Sequence, residues 1–152
     1  EIKAASDIDG AEVADRTGWK IIACDEEGIY TADSKPYSSL FDGSRDTYVR
    51  TWGGPVTFTV DLGKEYDMTG FVITARSGNY ERYQPKSVNI EGSTDGVEYV
   101  ELGTASASAG TLLNATPSSY AAFYGVKVRY LKINADYGGS NMGTAEFNIY
   151  AK

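Results

Sequence analysis

The sequence has no histidine and a single cysteine. Without an imidazole there is no Ser-His or Cys-His nucleophilic pair and no His-ligated zinc site. With one thiol there is no intramolecular disulfide. Cys24 lies in the apolar run WKIIAC and is expected to be a buried filler. Positive charge is also in deficit: 14 Lys and Arg stand against 21 Asp and Glu, a formal net charge of -7. That balance argues against nucleic acid, which needs a basic patch, and against adhesion to anionic lipid. The acidity also serves solubility alone. No stretch is long and apolar enough to span a membrane, so no membrane insertion is expected. Proline is scarce, 4 residues against 17 glycines, which favours many turns and short strands.

What is present describes a globular chain. Its 152 residues fit one domain with a real core, and 41% hydrophobic with 23% charged residues excludes disorder. The opening EIKAASDIDGAEVADRTG is polar, has no initiator Met and no signal-peptide pattern. Residues 1–17 are therefore expected to be the end of a linker from a preceding domain in a larger protein, and residues 18–152 one domain.

Strand patterns dominate that domain. VTFTVDL (Val56 to Leu62) alternates strictly, with Val56, Phe58, Val60 and Leu62 on one face. TGFVITAR (Thr69 to Arg76) is apolar on both faces, as a central strand is. KSVNIEGS and VEYVELG flank Thr94-Asp95-Gly96, a hairpin signal, because Asp and Gly tolerate positive φ. YGVKVRYLKINAD (Tyr124 to Asp136) changes phase near Tyr130-Leu131, which predicts a bulge. In TAEFNIYA, Ala145, Phe147 and Ile149 are expected inward and Glu146, Asn148 and Tyr150 outward. One short helix is expected at KPYSSLFDG, with Pro36 early and Gly43 at its stop. The sum is an all-β chain, an antiparallel β-sandwich of about eight strands with one short helix.

The candidate chemistry lies in the loops, where binding groups usually sit. DGSRDT (Asp42 to Thr47) offers oxygen donors of the kind calcium takes, carboxylates with carbonyls and hydroxyls in an irregular loop. On spacing alone an ordinary Asp-Gly turn is the stronger reading and a metal site the weaker one. A sugar site needs an aromatic face and planar polar groups. Trp52, Tyr80, Tyr83 and Tyr137 are the candidate faces, and Arg50, Arg76, Asn79, Arg82 and Asn141 the candidate hydrogen-bonding groups. Each has a structural alternative: Tyr83 packing on the sandwich edge, Trp52 filling the core, Arg76 bracing loops. The acidic runs CDEE and Glu65-Tyr66-Asp67 read as solvated turns, because neighbouring carboxylates point apart and nothing marks a hydrolytic cleft.

The order of these pieces resembles the discoidin, or coagulation-factor type C, superfamily of galactose-binding-like jelly rolls, which includes the family-32 carbohydrate-binding modules. GWKIIACDEE stands as the first strand, YSSLFDGSRDTYVRTW as helix and loop, and VTFTVDLGKEYDMTGFVITAR as two strands. YQPKSVNIEGSTDGVEYVELG follows as the hairpin, VRYLKINA as the late strand and GTAEFNIYA as the closing strand. The resemblance covers Gly18 to Tyr150. It implies one structural calcium ion held by the carbonyls of Ser39, Ser44 and Ala145, the carboxylates of Asp42 and Glu146, and the hydroxyl and carbonyl of Thr47. It implies a sugar site among Trp52, Arg76, Asn79, Tyr80, Tyr137 and Asn141, with Arg76 at the family's strand-ending arginine. The chain departs from the pattern at Val49, where the family usually has Trp. It also lacks the loop histidine that galactose-binding members often use, which argues against a galactose preference.

The function so implied is non-catalytic: a monomeric carbohydrate-binding module, extracytoplasmic, accessory to a bacterial chitobiase-like or sialidase-like glycoside hydrolase. A protein-interaction or adhesion module of the same fold is the alternative. An enzyme in its own right is the remote one.

Overall fold

The computed structural model describes residues 8–24, 40–44, 49–51, 55–75, 87–106, 118–136 and 142–152. They form eight strands: β1 (Ala11–Glu12), β2 (Lys20–Cys24), β3 (Val49–Thr51), β4 (Val56–Ala75), β5 (Ser87–Ser93), β6 (Val100–Ser106), β7 (Ser118–Asp136) and β8 (Met142–Ala151). All pairings are antiparallel. Among the described residues the only helical feature is a tight 3₁₀ turn at Leu40 and Phe41, and most of the expected helix lies outside them.

Two strands read separately from the sequence are one here. Val56 to Leu62 and Thr69 to Ala75 both belong to the 20-residue β4, which turns a corner between them. The pairing with β7 slips between Asp61 and Tyr66, and again between Met68 and Gly70. Gly63 makes the corner possible, with φ at 79° and its N–H held by Asp61 Oδ1 at 2.8 Å. The first half of β4 pairs with β2 and the end of β7, and its second half with β8 and the start of β7. One long strand thus serves both layers of a β-sandwich, the fold class expected. The phase change near Tyr130-Leu131 is the matching irregularity in β7, since Val128 and Leu131 are both buried.

The core lies between the layers. Val56, Phe58, Val60 and Leu62 point into it as their alternation predicts, and meet Phe71, Ile90, Leu131, Ile133, Phe147 and Ile149. Each such fully buried side chain contributes about 1.5–3 kcal/mol relative to exposure. Opposite this core, the outer face of β4, β7, β5 and β6 is tied by a polar ladder. Thr57 Oγ1 donates to Asn134 Oδ1 at 2.8 Å, Asn134 Nδ2 to Glu91 Oε2 at 2.8 Å, and Asn89 Nδ2 to Glu101 Oε1 at 2.9 Å.

Three details differ from the sequence reading. The Asp-Gly hairpin is wider, because β6 starts at Val100 and Asp95 Oδ1 gathers the N–H groups of Val97 and Glu98 into the turn. Cys24 packs against the core but is only half-buried. The outward face of β8 is covered, not solvated: Asn148 and Tyr150 are both buried. The cover is the segment expected to be linker. Ile8 is buried, Glu12 pairs with Tyr150, Val13 N donates to Ile149 O at 3.1 Å, and Asn148 Nδ2 donates to Val13 O at 3.0 Å. Residues 8–17 therefore run along the sandwich as a strap.

Candidate functional site

The loop before β3 is fixed by two apolar anchors. Leu40 is buried, and Phe41 meets the Trp19 ring edge-on at 5.3 Å between centroids. From there the chain turns through Asp42 and Gly43. Asp42 Oδ1 accepts the Ser44 N–H at 2.9 Å, closing an Asx turn, and Gly43 has φ of 78°.

The Gly43 N–H points across to the last strand and donates to Glu146 Oε1 at 2.9 Å. The same oxygen receives Arg16 Nη2 at 2.9 Å, while Arg16 Nη1 donates to the Phe147 carbonyl at 2.8 Å. The other oxygen, Glu146 Oε2, is buried and has no hydrogen-bond partner among the described residues. Asp42 meets Glu146 side chain to side chain, a contact that is a hydrogen bond only while one carboxyl keeps its proton and a repulsion once both are ionised, when each is an acceptor. Burial pushes the Glu146 carboxyl up to about 7, against the pull of Arg16 and with a further push from Asp42. A buried acceptor without a donor is costly. A hard cation with oxygen ligands would satisfy Oε2 and neutralise both carboxylates. Among the described residues no group of three or more acidic or cysteine side chains gathers. Backbone and hydroxyl oxygens would have to complete any such shell.

Of the expected calcium ligands, the structure brings Asp42 and Glu146 together, its neighbour Gly43 bonding Glu146 across 103 positions of sequence, with Ser44 in the same loop and Ala145 beside Glu146 in β8. Ser39 and Thr47 lie outside the described residues. So do the six residues of the implied sugar site, Trp52, Arg76, Asn79, Tyr80, Tyr137 and Asn141, and the further loop candidates Arg82 and Tyr83, while Arg50 lies in β3. The strand ends next to them are described, and they converge. Thr51 pairs with Met142, Ala75 with Thr144, Val56 with Ala135 and Ser87 with Asp136. These ends lie at one end of the sandwich. The end of β8 lies at the other, where Ala11 and Met68 pair with Ala151 and Lys152 N donates to Asp67 O at 3.0 Å. A cleft of about 470 Å³ opens there, between Val13, Asp15, Trp19, Lys64 and Tyr66. Arg16 is the site residue that the sequence reading missed. Its only signal was a cation in an otherwise acidic stretch, AEVADRTG.

The family model for the F5/8 type C domain matches residues 20–147. No curated protein sequence matches the chain. Among solved structures, an F5/8 type C domain from Bacteroides fragilis is 26% identical, with 94% of this chain and 97% of that one covered and a TM-score of 0.73. The C-terminal domain of a chitobiase from the same organism is 18% identical over 93% and 97%, with a TM-score of 0.73. The family 32 carbohydrate-binding module of Clostridium perfringens NanJ, in complex with galactose, is 20% identical over 89% and 95%, with a TM-score of 0.69.

Proposed function

The chain belongs to the F5/8 type C domain family, and from that premise we propose that it is a non-catalytic carbohydrate-binding module braced by a structural calcium ion. The observation that carries the sugar reading is the convergence of strand ends. The register of four pairings gathers the ends adjoining Trp52, Arg76, Tyr137 and Asn141 at one edge of the sandwich. A rigid sheet that collects several loops at one end is the usual support for a binding site. The galactose held by one structural neighbour and the chitobiase origin of another support the same ligand class and an accessory role beside a glycan-active enzyme. The missing histidine points away from galactose itself. Such a module works outside the cytoplasm, where its glycans are.

Screening against an array of microbial and host glycans, followed by calorimetry, tests this. Binding to at least one glycan is expected, and Trp52→Ala, Arg76→Ala and Tyr137→Ala should each abolish it. No binding to any glycan would sink the reading.

The calcium part rests on the buried, unpartnered Glu146 Oε2 beside Asp42. Asp42, Glu146 and the carbonyls and hydroxyl of Ser39, Ser44, Thr47 and Ala145 would hold the ion. Its role is to join the first loop to the last strand. Elemental analysis should find one calcium per chain, and none in Asp42→Ala or Glu146→Ala.

A further inference from the structure

Glu146 has two oxygens with different surroundings. Oε1 takes two donors, the Gly43 N–H and Arg16 Nη2, both at 2.9 Å. Oε2 takes none among the described residues and is buried. A carboxylate on a flexible side chain would ordinarily turn to share its donors. Here it is held, because the guanidinium that grips Oε1 also donates to the carbonyl of the next residue, Phe147, at 2.8 Å. The planar fork spans side chain and main chain at once, a geometry that a lysine cannot copy.

Arg16 is itself built into place. Asp15 Oδ1 accepts the Thr17 N–H at 3.0 Å and the Thr17 hydroxyl at 2.7 Å. The Arg16 carbonyl accepts the N–H of Trp19 at 3.1 Å, and Trp19 belongs to the core. On the other side Val13 joins the edge of β8 through Ile149. The strap therefore arrives at Glu146 from two fixed points, and both side chains of the ion pair are only 13% exposed.

We propose that Arg16 is a positioning residue for the cation site: by fixing Glu146 Oε1 it aims Oε2 at Asp42 and the loop, and it couples calcium binding to docking of the N-terminal strap. This rests on the calcium reading. Partners that orient a metal ligand typically contribute 10–100-fold in metal affinity. Coupling is reciprocal, so if the docked strap favours the ion, the ion must favour the docked strap. A competing effect has the opposite sign. Arg16 is a cation near a cation site, and on charge alone its removal would tighten calcium binding.

The test uses the whole chain with calcium alone as ligand. Calcium affinity is measured by calorimetry for wild type, Arg16→Lys and Arg16→Met, and amide hydrogen exchange is followed at Val13 and Thr17 with and without the ion. Positioning predicts affinity weakened tenfold or more in both variants, including the one that keeps the charge. It also predicts that calcium slows strap exchange in wild type and not in the variants. Unchanged affinity in Arg16→Lys, or tighter binding in Arg16→Met, overturns it. So does a wild-type strap whose exchange ignores calcium, a measurement that needs no variant to fold. A wild-type chain that binds no calcium fails the underlying reading instead, and is told apart by that first titration.

Discussion

Arg129 and Asp61 meet where β4 turns its corner. Arg129 Nε reaches Asp61 Oδ1 at 3.0 Å and Nη2 reaches Oδ2 at 3.2 Å, a bidentate pair. Arg129 is the main cause holding the Asp61 carboxyl below its ordinary value of 3.8; partial burial opposes it, and the Gly63 N–H assists. The sign follows from the ionised form being favoured in the folded state. The pair stabilises above the carboxyl's unfolded pKa, and the contribution is lost as pH falls through the lower folded value. Arg129 is 40% exposed, so solvent screening keeps the effect small. Asp61→Asn should cost about 0.5–1 kcal/mol near neutral pH. In urea titrations the gap from wild type should close as pH falls through the lowered folded-state pKa of Asp61. A gap that persists there would mean that Asp61 acts through the Gly63 turn rather than through its charge.

Among the elements, the strap shows best what sequence can and cannot reveal. Strands with one wet and one dry face announce themselves: Val56 to Leu62 alternates because only one side meets the core, and each inward residue is buried. Thr69 to Ala75 was legible as central for the converse reason, being flanked by β7 and β8. The outer face of β8 was not legible, because what covers it is IDGAEVADRTG, a segment with too few apolar residues to signal burial. Its bonds are to backbone and amide groups, which leave no periodic trace. The candidate site shows the same limit. Asp42 and Glu146 are far apart in sequence, and only the family pattern joined them; Arg16 stood outside that pattern. The strap's geometry is demanding nonetheless. Gly10 has φ of 81°, and a Cβ there would lie 2.5 Å from the Ala151 carbonyl oxygen. Gly10→Ala should therefore cost roughly 1–3 kcal/mol, from strain and loss of the β1–β8 pairing. Denaturant unfolding would measure it, and an unchanged midpoint would show that the strap docks without this close approach.

For the molecule as a whole, an ion that binds only the folded chain stabilises by mass action. At free calcium a hundredfold above its dissociation constant the gain is about 2.7 kcal/mol. For a chain of this length that corresponds to roughly 5–10 °C in Tm. Calorimetric scans should show a drop of that size in EDTA, absent in Glu146→Ala. A transition indifferent to the chelator would remove calcium from the account of this fold. Sequence composition spoke most clearly at this scale: a chain without histidine has no Ser-His or Cys-His pair, whatever its geometry.

The meeting of the strap with the end of β8 has a mechanical meaning. Ala11 pairs with Ala151, and Lys152 Nζ contacts Asp9 Oδ2 at 2.7 Å, so Asp9 and Lys152 stand at the same corner. Tension applied between these two points does not shear β1 along β8. It opens the pair like a zipper, loading one rung at a time. Peeling would begin at Gly10 and travel toward Arg16, and the grip on Glu146 would be the first strong resistance met. Stretched between two attachments, this sandwich should yield in two steps, a soft release of the strap and then a stiffer rupture of the core. Single-molecule force traces would resolve them.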